Sequence, residues 1–234
     1  MLDALRVTWQ SIKGFWEELV LLVILDAIWS LCVLLIVAPL WLLGSRNLVL
    51  GLALSLALSW PLPVVSGALC FVANQIARHQ FVGWDTVADG LRRYWAKSLI
   101  VALVNVVVLV LIAANILFYA YVLQGTWTNF AVIAWIALTA YWLAVQIYWF
   151  PMILELESEK MLVALRNALG LVLISPGFSL LLTVILVVVV ALCLVLTIPA
   201  LLFMAGLVLL MANYATRSRL ALVQRKRQRW NEDQ

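Results

Sequence analysis

The run LVLLVILDAIWSLCVLLIVAPLWLL, Leu19–Leu43, carries a single charged residue, Asp26, in 25 residues. As an α-helix it would be about 37 Å long at 1.5 Å per residue, enough to cross a hydrocarbon layer of about 30 Å. Four more apolar runs of similar or greater length follow. In hydrocarbon every backbone N–H and C=O must find its partner inside the protein, which leaves helices or a closed barrel. Barrel strands need only about ten residues and alternate apolar with polar; these runs do neither. The expected fold class is all-α, a polytopic membrane helix bundle. The chain is 67% hydrophobic and 11% charged, against roughly half and a quarter in a soluble domain. A water-soluble enzyme or regulator is excluded.

Six transmembrane helices are predicted, at Leu19–Leu43, Leu48–Ala77, 98–123, 129–154, 178–196 and 200–216. The last two are divided at LTIPALL, where Thr197 can end one helix and Pro199 can sit in the first turn of the next. Residues 1–222 read as a single membrane domain and 223–234 as a basic cytoplasmic tail. The first twenty residues contain Asp3, Glu17 and Glu18 and no small-x-small cleavage site, so they do not read as a signal peptide.

With both termini on one face, Arg46 is the one residue of fifteen Lys and Arg that falls on the other. The positive-inside rule then makes both termini cytoplasmic. The opposite loops, GSRN, QGTWT and TIP, hold no acid and leave almost no body outside, which argues against an external receptor or hydrolase. Segments 79–98 and 158–174 alternate charge and bulk at helical spacing. In the first, Phe81, Trp84, Val87, Leu91 and Trp95 can share one face, with Asp85, Asp89, Arg92 and Arg93 away from it. Two cytoplasmic interfacial amphipathic helices, lying in the headgroup plane, are expected there. The order span, surface helix, span thus occurs twice and hints at an internal duplication.

PLPVVSGAL in the second span is followed by GLRRYWAKSL. Then come YWFPMILELESEKMLVALRNALGLVLISPG and a final hairpin that breaks at TIPALL. This order resembles the YesL-like family of bacterial integral membrane proteins, a family of unknown function, over residues 15–222. It departs from the family pattern at GSRN and PVVSGA. The resemblance implies a protein of the bacterial cytoplasmic (inner) membrane, brings no catalytic residues with it, and offers companionship to sugar uptake systems as context.

Pro61 and Pro63 stand inside the second span, which as a straight helix would be about 45 Å long. They are candidates for a helix kink. The carbonyls freed near Ala57 and Ser59 need donors, and Ser55, Ser59 and Ser66 are at hand. The kink can serve packing alone, or it can line a substrate path as the broken helices of transporters do. Gly51, Ser55 and Ser59 recur every four residues, a spacing that lets helices approach closely, within this chain or between subunits, including a second copy.

Polar side chains inside spans are costly and informative. Asp26, Asn105 and Gln146 fall at similar depth, with Asn74 and Asn213 nearer the cytoplasmic end, and Asn115 apart. A buried polar layer is expected from Asp26, Asn74, Asn105, Gln146 and Asn213, with Asp26 held by Arg78 or Arg217. Such a layer can fix helix packing through interhelical hydrogen bonds, or it can be a proton or solute site with Asp26 as charge carrier.

Twelve tryptophans are present. Trp41, Trp60, Trp127 and Trp149 are placed near the interfaces. Trp135, Trp142 and Trp149 repeat every seven residues and make one stripe, a helix-packing or lipid-facing seam, and a candidate partner or lipid face. Cys32, Cys70 and Cys193 lie within apolar runs, with no Cys-x-x-Cys, and His79 is the one imidazole. No metal, cofactor or catalytic residue is therefore expected. RKRQRW near the C-terminus attracts anionic lipids and needs no nucleic acid to explain it. The function expected is that of a non-catalytic accessory or scaffold subunit. Its partners would be other membrane-protein subunits of an uptake, respiratory or photosynthetic assembly. The alternative is a small-solute transporter or permease component using the kinked second span and buried Asp26.

Overall fold

The computed structural model describes residues 2–123, 125–156 and 160–232. Among them helices follow one another without a strand: α1 (Leu2–Glu17), α2 (Leu19–Leu43), α3 (Leu48–Ala57), α4 (Pro61–Ala77), α5 (Trp84–Leu117), α6 (Thr126–Glu155), α7 (Met161–Ile174), α8 (Pro176–Leu196) and α9 (Ile198–Glu232). A π-helical turn, Phe118–Val122, extends α5. Taking α3 and α4 as one broken span, six segments are long and apolar enough to cross a membrane. The chain is an all-α, multi-pass membrane protein.

The second span breaks where its prolines require it. α3 ends at Ala57, and α4 restarts with Pro61 in its first turn, where the missing N–H costs nothing. The serines act differently from expectation. Ser59 Oγ donates to Leu56 O (2.7 Å), Ser66 Oγ to Leu62 O (2.8 Å), and Ser55 Oγ crosses to Ile36 O of α2 (2.7 Å). Ser55 and Gly51 are buried against α2, and a Cβ on Gly51 would stand 3.3 Å from Pro39 O. The small-residue face is used inside the chain. The break between the last two spans also falls as predicted: α8 ends at Leu196, and Thr197 turns the chain with φ 55°.

Two surface features need correction. Residues 84–98 are not a separate helix lying in the headgroup plane; they are the first turns of α5, which runs unbroken into the third span. Nothing in RRYWAKSL breaks a helix, and the proposed aromatic face does not exist as such. Val87 and Tyr94 are buried, whereas Phe81, Trp84 and Trp95 are exposed. The buried stripe is Val87, Gly90, Tyr94 and Ser98, directed at α4. Gly90 faces Ala68 and Phe71, and the Phe71 and Tyr94 rings lie 5.3 Å apart. Of the second surface segment, α7 is a separate short helix packed on α6; Ser158 and Glu159 lie outside the described residues.

α1 is the surface helix missed in the sequence. Its buried positions Ala4, Val7, Ser11 and Phe15 follow 3–4 spacing, the signature of an amphipathic helix. It packs along α9, from Asp3 beside Arg219 to Phe15, whose ring centroid is 5.5 Å from that of Phe203. The tail is likewise helical: α9 continues to Glu232, and Asp233 and Gln234 lie outside the described residues.

α9 is the central helix, touching α1, α2, α4, α6 and α8. In its most apolar stretch 44% of residues are buried in protein, against 11% in the second and third spans. The core is concentrated in the half of the bundle that carries the Lys and Arg. Leu69–Ala77, Ala144–Leu154 and Ala205–Thr216 supply most of it.

Two predictions follow from this packing. A Cβ on Gly67 would overlap the Ser98 hydroxyl and stand 2.9 Å from Ser98 Cβ, and that hydroxyl is pinned by its bond to Tyr94 O (2.9 Å). Gly67→Ala is expected to lower stability in detergent by about 1–3 kcal/mol, and by less in a Ser98→Gly background, read as unfolding midpoints. At the other end of the core, the hydrogen bond from Arg219 holds the Asp3 carboxyl below the usual carboxylate range. Because the folded value is depressed, the contact is complete above the ordinary pKa of about 3.9 and is lost as pH falls through the folded value. Proteolysis within α1 should accelerate below that range in the wild type, and already at neutral pH in Asp3→Asn.

Candidate functional site

The polar residues expected to form one layer form three separate clusters. The first joins α2 to α9. Asp26, 1% exposed, accepts a hydrogen bond from Gly206 N–H at Oδ1 (2.7 Å). The absence of a side chain lets the carboxylate approach the flank of α9 this closely: a Cβ at residue 206 would lie 3.2 Å from Asp26 Oδ2. That second oxygen has no hydrogen-bond partner among the described residues. Higher on the same pair of helices, Ser30 Oγ donates to Leu201 O (2.9 Å). Neither Arg78 nor Arg217 reaches Asp26, contrary to expectation, because both are held by Glu155.

The second cluster joins α5 to α6. Asn105 Nδ2 donates to Gln146 Oε1 (2.7 Å), and Asn105 Oδ1 accepts from Trp142 Nε1 (3.0 Å). Asn105 is also in the wall of a largely apolar cleft of about 390 Å3 beside the Pro61–Pro63 break, between α4 and α5. Both ends of its amide are already engaged. Asn115 stays local, donating to Leu111 O (2.8 Å).

The third cluster is the densest and is charged. Asn74 of α4 donates to Asn213 Oδ1 of α9 (3.1 Å) and to Glu155 Oε1 of α6 (3.0 Å). Asn213 Nδ2 donates to Leu209 O (2.8 Å), with Cys70 O and Sγ each at 3.4 Å. Glu155 then receives Arg78 at Oε2 (3.2 Å) and Arg217 Nε at Oε1 (3.4 Å). Arg217 also donates to Ala77 O, one of the last carbonyls of α4, where a cation is favoured by the helix dipole. One carboxylate thus joins three helices, α4, α6 and α9. Glu155 was missed in the sequence because it falls one residue beyond the predicted span, in ELESEK, which reads as a loop. Pro151 is tolerated inside α6, and the helix carries on far enough to place Glu155 between the arginines.

The tryptophan stripe does not form an outer face along its length. Trp149 is 2% exposed within the core, and Trp142 is half-buried with its ring centroid 6.0 Å from that of Trp149. Trp135, like Trp142, is half-buried. Of the tryptophans placed near the interfaces, Trp149 is buried in protein, whereas Trp41, Trp60 and Trp127 are exposed. The inward turn has a packing reason. Tyr148, beside Trp149, is also fully buried, with its hydroxyl 3.0 Å from Ser179 Oγ of α8. Tyr148 thus joins α6 to α8.

Comparison with protein-family models, with curated proteins and with solved structures gives no match to this chain.

Removing the carboxylate at the third cluster would leave Arg78 and Arg217 facing each other without an anion. Breaking a buried ion pair from one side costs about 3–5 kcal/mol, and partial exposure of Arg217 places this case at the low end. Glu155→Ala is expected to destabilise the protein more than Asn74→Ala or Gln146→Ala, as measured by denaturant titration in mixed micelles. The carboxylate-retaining Glu155→Asp should recover part of the loss.

Proposed function

We propose that this chain is a non-catalytic integral membrane accessory or scaffold subunit that packs against a larger membrane complex. It would reside in a bacterial cytoplasmic membrane with both termini on the cytoplasmic side, as the bias of Lys and Arg to one end of the bundle favours. Membership of the YesL-like family belongs to the same proposal. The carrying observation is how the intramembrane polar groups are used. Those that could serve a solute path are mostly engaged between the chain's own helices, in pairs such as Asn105–Gln146 and Asn74–Asn213. The far halves of α5, α6 and α8 meanwhile present apolar side chains such as Val107, Val110, Ile133, Ile136, Val188 and Leu192 without cover. Between α6 and α8 this leaves an apolar groove of about 400 Å3. These faces suit other transmembrane helices, and the basic tail suits anionic lipid.

A second reading, a small-solute transporter or permease component, is favoured by the unpartnered Asp26 Oδ2 and by the broken second span beside its 390 Å3 cleft. Gentle detergent extraction followed by sizing and mass spectrometry separates the two. The subunit reading expects stoichiometric co-purification with a larger complex, and flux into liposomes that is equally negligible for wild type and Asp26→Asn. A lone dimer that catalyses uptake, with uptake lost in Asp26→Asn, would replace it with the transporter.

A further inference from the structure

At the basic end, α1, the end of α4 and the surface part of α9 enclose an open groove of about 450 Å3. The clefts between the spans are walled mostly by apolar side chains; this one is not. Arg6, His79, Arg217 and Arg225 line it, together with the Tyr214 hydroxyl and Ser218. Asp3 is the one carboxylate in its wall, and Asp3 is already hydrogen-bonded to Arg219 at 2.9 Å. Arg6 and Arg225 form no ion pair among the described residues. Arg217 shares Glu155 with Arg78, two guanidiniums on one carboxylate. The groove therefore holds uncompensated positive charge in a concave setting.

The backbone supplies an independent sign. α4 ends in a Schellman motif: Gln80 N–H donates to Gln75 O (3.0 Å) and His79 N–H to Ile76 O (2.8 Å). The residue between these turns sits in the left-handed region, with φ 56°, and it is a histidine. That position ordinarily belongs to glycine, which adopts it without a Cβ penalty. A side chain kept there against backbone preference points to a use for the side chain, and this imidazole lines the cationic groove. The depth is suitable too. α1 carries Trp9 and Trp16, both largely exposed, and exposed indoles favour the headgroup level of a bilayer.

We propose that this groove is a binding site for an anionic phosphate group, carried by a phospholipid headgroup. Arg6, Arg217 and Arg225 supply the charge, and the His79 imidazole is an additional donor. The test uses the full-length chain in a neutral detergent and native mass spectrometry, with phosphatidylglycerol, phosphatidylcholine and inorganic phosphate as probes. Phosphatidylglycerol is expected to bind in preference to phosphatidylcholine. The Arg6→Gln/Arg225→Gln double variant should weaken it about fivefold per charge removed. Arg92→Gln/Arg93→Gln makes the same charge change on α5, outside the groove, and should leave binding unchanged. His79→Gly should weaken binding severalfold while the unfolding midpoint holds or rises, since glycine relieves the backbone. Displacement of the lipid by inorganic phosphate would support the site and assign it to a soluble phosphate; resistance to displacement assigns it to lipid. Equal losses in the two double variants, or no preference for phosphatidylglycerol, would overturn the proposal. The measurement is made on the isolated chain, so it stands or falls separately from the subunit reading.

Discussion

Two guanidiniums on one carboxylate organise this bundle. In lipid the hydrophobic effect does not draw helix to helix, because the solvent is as apolar as the side chains. Position must come from close fit and from polar groups that have no other partner. Glu155 supplies the second at the point where α4, α6 and α9 converge, through Arg78, Arg217 and Asn74. Close fit comes from residues without bulk: Gly67 and Gly90 let α5 lie against α4, Gly51 lets α3 lie against α2, and Gly206 admits Asp26 to the side of α9. Each polar contact between spans is modest by itself. The two devices act on the same half of the molecule, and there the core is dense.

The other half is built on different terms. Beyond Val101 on α5 and before Ala144 on α6, almost every side chain is open or half-open to the surroundings, Ile112 being the exception on α5. The connections at that end are short, and few polar groups cross between the helices there. A bundle that is locked at one end and splayed at the other has lateral apolar grooves by construction. The α6–α8 groove and the cleft beside the proline break are both of this kind. A solute path would need polar groups left free along such a cleft, yet Asn105, at its wall, is engaged on both sides of its amide.

What was legible in the sequence follows the same division. Span number depends on length and hydropathy, properties of each segment alone, and six apolar segments are found as expected. The third helix, however, starts at Trp84 rather than at residue 98, and the last runs on to Glu232 rather than 216, because a helix that continues past its apolar stretch leaves no hydropathy signal. The breaks at Pro61 and at Thr197 were legible because proline chemistry is local. Which polar residues meet was not legible. Asp26, Asn105 and Asn74 lie at related depths, but depth says nothing about azimuth, and the helices' rotations send them to three different neighbours. Glu155 was hidden by one residue of boundary error. α1 was missed because its segment was tested only as a signal peptide, although Ala4, Val7, Ser11 and Phe15 carry a regular helical stripe. The tryptophan heptad left helix packing, lipid and a partner open, since a stripe fixes which residues share a face and not what that face meets; at Trp149 it meets the core.

α9 explains why the surface and the interior belong to one object. It has no break between Ile198 and Glu232, and along one rigid rod it presents Gly206 to Asp26, Asn213 to Asn74, Arg217 to Glu155 and Arg219 to Asp3. The first three contacts lock spans. The last ties only α1, which otherwise holds by its apolar stripe and is flanked by open cationic surface. Charge at that boundary is unevenly distributed: two arginines share Glu155, while Arg6 and Arg225 form no ion pair among the described residues. A bundle fixed internally by one carboxylate thus leaves its surplus of positive charge at the surface, along the seam between α9 and α1. An anion bound in that seam would bear on the α1–α9 contact and, through Arg217, on the Glu155 junction that holds the spans.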